Sequence, residues 1–425
     1  MIKTKKRTLV RIGWLILFTL IVFMLISGAG FCAKKSVKIT MWYSVGGNPR
    51  RATEALVKWF NRVQPEVKMK AVYSGSYEDT TQKLLAAVIA GNPPTIAHMA
   101  HCYAPQLVKK GCIQALDDFI TKDPEVSKDD FVESLYRTNV YQGKVYGVPF
   151  NCSNPVVYYN RDLFRKAGLD PDNPPKTWDE AYDIAKKISE LGEEIYGYNI
   201  ERGSGWISQG YVWQFGGEWI KPDNSKVLWD SEESIAALSF MKKMVDDGIA
   251  VYKGGNKLDI SGKVGMVIRS TASLTYLEEH CPFDLGVAVQ PYKVRKMVPL
   301  GGGSLYMFKN ISEEEKQAAW KFMKYVTNPI NQMFWAVSTG YMASNKKAVN
   351  SALMEKRFID DPRTQVTYLQ LPYSRPEDDT WLAPFLEVRD IFNDAWDRCI
   401  LNNLDPEKVL KEATEKANKI LQEYK

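Results

Sequence analysis

Val145 to Ala181, VYGVPFNCSNPVVYYNRDLFRKAGLDPDNPPKTWDEA, decides how the chain is built. Its first half is dense in β-branched and aromatic residues, with Val145, Tyr146, Val148 and Phe150 followed by Val156 to Tyr159, which predicts strand. Asp162 suits a first helical turn, and the helix it opens should end at Gly168, where glycine can take the left-handed conformation. Pro174-Pro175 then stiffens the chain. Thr177 with Glu180 three residues on is a capping box for the next helix. A strand thus leaves one compact region and the chain starts building another.

Upstream, Ser36 to Tyr43 alternates Val37, Ile39 and Met41 against Lys38 and Thr40, the period-two pattern of a half-buried strand. Arg51 to Val63 reads as helix, Val67 to Tyr73 as strand, Tyr77 to Ala90 as helix and Thr95 to Met99 as strand. That alternation is the grammar of an α/β unit with a parallel sheet, in which ligands meet the loops at the strand carboxyl ends. Here those loops hold Tyr43-Ser44, Ser74 to Tyr77 and His98 to Tyr103. Downstream of Val156 a second α/β region follows, with helices at 179–190 and 232–246, strands at 265–268, 285–289 and 305–308, and a helical end at 313–326, 332–337, 385–399 and 406–424. Between Trp206 and Trp219 lies an aromatic-rich piece, read as loop.

At 425 residues the chain has length for two or three domains, and its 45% hydrophobic and 25% charged composition is that of a globular protein. Of the formal +6, five charges sit at Lys3, Lys5, Lys6, Arg7 and Arg11, so the remainder has no basic face suited to nucleic acid. Those five precede an uncharged apolar run, Ile12 to Ile26, and the small residues Ser27 to Gly30, which is the layout of an export signal over residues 1–33. The run is at the upper end for a signal core and could stay uncleaved as an anchor, for which ~20 apolar residues are expected, and Cys32 could carry a lipid, although Phe31 is bulky for that processing. Without Cys32 the cysteines number five, so no complete disulfide framework is implied. Cys102 and Cys112 are the only close pair, and buried thiols are the plainer reading.

No nucleophile, phosphate-loop or zinc-protease motif occurs, and only three histidines are present. No catalytic residue, metal or cofactor is expected. Gly301-Gly302-Gly303-Ser304 precedes a strand, where glycine lets backbone or ligand come close. The aromatic content, 12 Trp and 22 Tyr, is more telling. An aromatic plate matches the apolar face of a sugar, and Ser, Tyr and Asn match its hydroxyl rim.

Tyr159-Asn160-Arg161-Asp162-Leu163-Phe164, Ala167-Gly168-Leu169 and Pro174 to Glu180 resemble the signature of family 1 extracellular solute-binding proteins, which feed carbohydrate-importing ABC transporters. Further matching blocks are Ala90 to Pro94, Gly301 to Leu305 and Thr339-Gly340-Tyr341. The members most resembled bind sn-glycerol-3-phosphate. The resemblance implies an α/β, two-lobed periplasmic-binding-protein fold with discontinuous lobes joined by a three-segment hinge. One lobe would comprise 36–154 plus 269–306, the other 155–268 plus 307–425. It places ligand contacts on Tyr77, Ser153, Trp206, Ser270, Gly302 and Tyr341, and puts His101 where the subgroup has an acidic residue. Tyr43 and Ser44, at the end of the first strand, complete the candidate set.

The arginine that pairs with phosphate in the subgroup falls on or beside Trp381, and 377–388 holds no Arg or Lys. Arg269 and Arg202 are the remaining candidates for that charge. A desolvated phosphate wants a fixed cation, whereas tryptophan offers a stacking face. The expectation is therefore a monomeric, exported receptor, periplasmic or on the extracellular face of the cytoplasmic membrane, that captures a mono- or oligosaccharide for a membrane permease. sn-Glycerol-3-phosphate or a related phosphodiester is the alternative ligand. A secreted carbohydrate-active enzyme and a membrane-anchored adhesion module are the rivals from other classes.

Overall fold

The computed structural model describes residues 36–376 and 384–423. Strand β1 (Val37–Tyr43) pairs in parallel with β2 (Val67–Tyr73) and with β3 (Ile96–Ala100). The alternation read in the sequence is real: Ile39, Met41 and Tyr43 point into the core. Every residue of β3 is buried, as a central strand covered on both faces requires. A small hairpin, β4 (Val140–Tyr141) and β5 (Lys144–Val145), precedes β6 (Gly147–Ser153). Strand β7 (Pro155–Asn160) then opens a second sheet with β8 (Tyr196–Ile200), β9 (Ala250–Tyr252), β10 (Val264–Ser270) and β11 (Leu285–Ala288), in spatial order β11-β7-β10-β8-β9. The first sheet is completed by β12 (Val298–Met307) and β13 (Ser374–Pro376), in the order β13-β12-β3-β1-β2, with β6 also paired to β12.

The local signals of the opening stretch hold. Asn160 caps the helix Arg161–Lys166, its Oδ1 accepting from the amides of Asp162 at 3.0 Å and Leu163 at 3.1 Å. Thr177 and Glu180 form the capping box of Trp178–Ser189. That helix buries Trp178, Ala181, Ala185 and Ile188 against the second sheet.

Two features depart from expectation. Residues 205–214, within the piece read as an aromatic loop, form a helix buried along nearly its whole length. Trp213, Trp219 and Trp229 are fully buried, as are Trp178, Trp335 and Trp396. Much of the aromatic surplus is core, which composition alone does not distinguish from ligand plates. The glycine run lies inside β12, where a register shift falls between Gly303 and Ser304, and not ahead of the strand.

The lobe boundaries also move. Strand β11 pairs with β7, so 285–288 belongs to the second sheet. The helices Glu313–Thr327 and Pro329–Thr339 bury Ala319, Phe322, Met323 and Trp335 in the core of the first sheet, with Ile39, Met41 and Leu56. The chain therefore passes between lobes at Asn154 and again between Ala288 and Val298, and residues 362–366 reach the second sheet again, with Val366 packed beside Val156 and Tyr158 and Arg363 Nη1 donating to the Leu285 carbonyl at 3.3 Å. By Phe385 it has joined the second core, where Phe385–Leu401 and Pro406–Glu423 pack. The crossings expected near Ile268 and Met307 are displaced because β11 and the 313–339 helices find their apolar partners elsewhere.

A buried amide knot ties these passages. Asn154 Nδ2 donates to the Thr367 carbonyl at 2.9 Å and its Oδ1 accepts from Thr367 Oγ1 at 2.7 Å. Gln370 Nε2 donates to Asn154 Oδ1 at 3.2 Å and to the Pro155 carbonyl at 2.9 Å, while its Oε1 accepts from the Gln290 amide at 2.8 Å. Gln290 Nε2 reaches the same Pro155 carbonyl at 2.9 Å. Replacing Gln370 with leucine leaves the buried Gln290 amide without its acceptor, a loss of about 1–3 kcal/mol, and takes one of two donors from both Asn154 Oδ1 and the Pro155 carbonyl. Gln370→Leu is expected to lower the urea midpoint by the equivalent of ~2 kcal/mol or more at unchanged slope; an unaltered midpoint would show that the knot carries no stability.

Candidate functional site

Where the two lobes face one another, a cleft of about 440 Å³ opens. Its walls are set by element ends. Tyr77 begins the helix Tyr77–Ile89, fixed by a capping box in which Ser76 Oγ accepts from the Asp79 amide at 3.0 Å. Ser153 ends β6 and Ser270 ends β10, where its Oγ accepts from the Ala272 amide at 3.2 Å. Tyr341 follows Gly340, which ends the helix Pro329–Thr339 in the left-handed region at φ +78° and at which a Cβ would also meet the Thr271 carbonyl at 2.9 Å. Its ring stacks on Trp335 at 5.9 Å. From the other side come Trp206, in the first turn of Gly205–Gln214, and Phe385, at the start of Phe385–Leu401.

The glycine run is explained by contact rather than by turning. A Cβ on Gly301 would lie 2.5 Å from Trp206 Cζ2, one on Gly302 1.8 Å from the Asn151 carbonyl oxygen, and one on Gly303 2.5 Å from that of Met99. Gly302 also has φ +99°. Trp206 Nε1 donates to the Leu300 carbonyl at 3.3 Å, so the indole lies directly against β12.

Six of the ten sequence-derived site residues line this cleft: Tyr77, Ser153, Trp206, Ser270, Gly302 and Tyr341. Three others do not. Tyr43 is core, its hydroxyl donating to Glu54 at 2.9 Å. Ser44 is buried and its Oγ donates to the His98 carbonyl at 3.0 Å. His101 is buried behind β12, its Nδ1 3.3 Å from Ser304 Oγ and 3.4 Å from Thr138 Oγ1. These loops do end at the correct sheet edge, but the side chains turn inward. Trp381 lies outside the described residues, as do the leader and Cys32.

Arg269 and Arg202, the cations proposed from sequence, are both engaged. Arg269 is buried, bonded to Glu201 and, at 2.5 Å, to Asp259, whereas Arg202 pairs with Asp397 at 2.7 Å. The cleft carries a different cation, Arg389, one residue past the run judged to lack one. Its guanidinium lies over the Phe385 ring at 4.7 Å. Glu78, Asp390 and Asn393 also face the cleft. The missed signal was helical spacing: Phe385, Arg389 and Asn393 recur every fourth residue and share one face. Neither Cys102, buried on the cleft wall, nor Cys112 is in a disulfide. Among the described residues no group of three or more acidic, His or Cys side chains could hold a metal ion, and no helix is long and apolar enough to cross a membrane.

Burial pushes the imidazoles of His98 and His101 down to about 4. The ordinary value is about 6.5, so between these values the unfolded chain binds more protons than the folded one. Stability contributed by the neutral rings is complete above about pH 6.5 and falls as pH drops toward 4. Urea unfolding at pH 7 and pH 5 should show this loss, and His98→Gln/His101→Gln should lose distinctly less over the same interval. An equal loss in both proteins would exclude the histidines as its source.

Residues 55–362 match the family described as bacterial extracellular solute-binding protein. The chain is 26% identical over 410 residues to the sn-glycerol-3-phosphate-binding periplasmic protein UgpB of Salmonella paratyphi A, covering 91% of this chain and 93% of that protein. Among solved structures, UgpB from Mycobacterium tuberculosis in complex with glycerophosphocholine superposes with TM-score 0.84 at 27% identity, covering 92% of this chain and 99% of the other. The cyclic alpha-maltosyl-1,6-maltose binding protein from Arthrobacter globiformis superposes with TM-score 0.80 at 25% identity, covering 91% and 100%.

Proposed function

We propose that this chain, which belongs to the bacterial extracellular solute-binding proteins and is the capture component of an ABC importer, binds a mono- or oligosaccharide in the interlobe cleft and delivers it to the membrane permease. The observation that carries the ligand reading is the composition of the walls. Trp206, Tyr77, Tyr341 and Phe385 supply aromatic faces, and Ser153, Ser270 and Asn393 supply polar groups between them. Charge supports a neutral ligand, since two carboxylates, Glu78 and Asp390, accompany the guanidinium of Arg389 along the cleft. Such a lining works against a dianionic phosphate monoester. The protein acts as an exported monomer, in the periplasm or held at the outer membrane face. It catalyses no reaction, so an oligosaccharide should be recovered unchanged after stoichiometric binding.

Arg389 favours a second reading, a phosphodiester of glycerol bearing a cationic head group. One guanidinium suits a monoanionic diester, and the carboxylates with the aromatic rings suit a cation. The relative that holds glycerophosphocholine is consistent with it.

Calorimetric and tryptophan-fluorescence titration with monosaccharides, maltotriose, sn-glycerol-3-phosphate and glycerophosphocholine separates the readings. Saturation by a neutral sugar is expected, with Trp206→Ala weakening it by more than ~1 kcal/mol and Arg389→Ala changing it by less. Saturation by glycerophosphocholine alone, abolished in Arg389→Ala, would replace the sugar by the diester. Release of a hydrolysed product would overturn the receptor reading itself.

A further inference from the structure

Behind the cleft wall runs a chain of buried polar groups that the binding role leaves unexplained. The Ser44 backbone amide points at His98 Nδ1 at 3.4 Å, and Ser44 Oγ holds the His98 carbonyl. His98 Nε2 lies 2.5 Å from Asn151 Oδ1, and Asn151 Nδ2 lies 2.7 Å from the Tyr77 hydroxyl. His98 and Asn151 are fully buried, with Tyr77 and Phe150 ringing the imidazole at 5.6 Å and 5.7 Å. Tyr77 faces the cleft.

One link in this chain cannot be reversed. A backbone N–H only donates, so His98 Nδ1 must accept and carries no proton. A neutral imidazole then has its proton on Nε2, which donates to Asn151. This settles the amide orientation: Oδ1 toward the histidine, Nδ2 toward the tyrosine. Flipping the amide would leave both ring nitrogens accepting, a deprotonated ring with no cation beside it. Tyr77 oxygen therefore accepts from Asn151, which turns its own proton away from the amide. Tyr341, hydrogen-bonded to both Tyr77 and Asn151, takes that proton and passes the same polarity on to the cleft.

We infer that Ser44, His98, Asn151 and Tyr77 form a one-way hydrogen-bond relay that presents a hydroxyl donor to the cleft, so that the bound ligand places an acceptor oxygen there. His98 and Asn151 are positioning residues: neither touches the ligand, and both fix which partner it must offer. Burial keeps His98 neutral throughout the physiological range, which holds the relay in one sense. Gly303 belongs to the same device, because a Cβ there would stand 2.9 Å from His98 Nε2 and 3.0 Å from Asn151 Oδ1. The selectivity that follows is against ligands with only an apolar group or a non-accepting donor at this point, since a buried donor left unpaired is costly.

The proposal rests on the cleft being the ligand site, and two measurements separate its failure from the failure of that reading. Long-range 1H–15N correlation on 15N-histidine-labelled protein at pH 7, with His98 assigned by its loss in His98→Gln, should show a neutral ring protonated at Nε2. A ring protonated at Nδ1, or charged, overturns the relay whether or not any ligand binds. The second measurement is a double-mutant cycle read with maltotriose or glycerophosphocholine, whichever the wild type binds. In Asn151→Asp the carboxylate accepts from both His98 and Tyr77, turning the tyrosine proton inward, so affinity should fall at least tenfold. Tyr77→Phe/Tyr341→Phe should fall at least as far, and Asn151→Asp should then cost nothing further in that background. An equal tenfold loss in that background would show that Asn151 acts on the site by some route other than the donor polarity of the two tyrosines, and the relay would be rejected. If neither probe binds the wild type, the ligand reading fails and the tautomer alone decides.

Discussion

The backbone of β12 comes closer to its surroundings at Gly301, Gly302 and Gly303 than any side chain permits. Each glycine yields to a different neighbour: the Trp206 indole from the second lobe, the Asn151 carbonyl in β6, and the Met99 carbonyl in β3. Three constraints thus meet in three consecutive residues. Strand β12 pairs with β3 and β6 while passing beneath the cleft, which is how the first sheet and the ligand wall become one piece of backbone. Since overpacking is destabilising and the contacts here are largely with backbone, which cannot swing away, the run tolerates no side chain. Loss of this close approach would move Trp206, Asn151 and the hinge strand together.

The buried amide knot works at the same junction by a different principle. Asn154, Gln290, Thr367 and Gln370 come from parts of the sequence more than 200 residues apart at the extremes, yet they saturate one another's donors and acceptors. The network continues through Gln214, whose Nε2 donates to Gln290 at 2.6 Å and whose Oε1 accepts from Trp178 Nε1 at 2.9 Å. A half-satisfied network in a low dielectric is worse than an apolar core, so its members stay together or fail together. This gives the passages between lobes a defined geometry.

What sequence reasoning recovered follows from which signals are local. Strand alternation in β1, the Thr177 capping box and the helix with Asp162 in its first turn depend on a few neighbouring residues and were all legible. The lobe membership of 285–288 and 313–339 was not, because it depends on which distant apolar surface each element covers. The same division runs through the site. Tyr77, Ser153, Ser270 and Tyr341, which the family resemblance singled out, sit at element ends that open on the cleft, whereas Tyr43, Ser44 and His101 sit in loops at the right edge with side chains turned into the core. Arg389 lies one residue past the 377–388 run on which the resemblance places the phosphate partner, and only the Phe385, Arg389, Asn393 spacing of the helix predicted there marks it.

The two walls of the cleft are held in different ways, and that difference bears on selectivity. Tyr77 is locked through Asn151 and His98 to a backbone amide of the first sheet, so the direction of its proton is decided before any ligand arrives. The opposite wall, Phe385, Arg389 and Asn393, is one face of a single helix whose other face packs in the second core. A ligand that bridges the walls stabilises their approach only by the contacts it gains with both at once. Preorganised donors on one side reduce the ordering cost of that step, and charged and aromatic groups on the other side supply the discrimination. Recognition is therefore divided between the lobes, the first specifying that an acceptor oxygen be present and the second specifying what surrounds it.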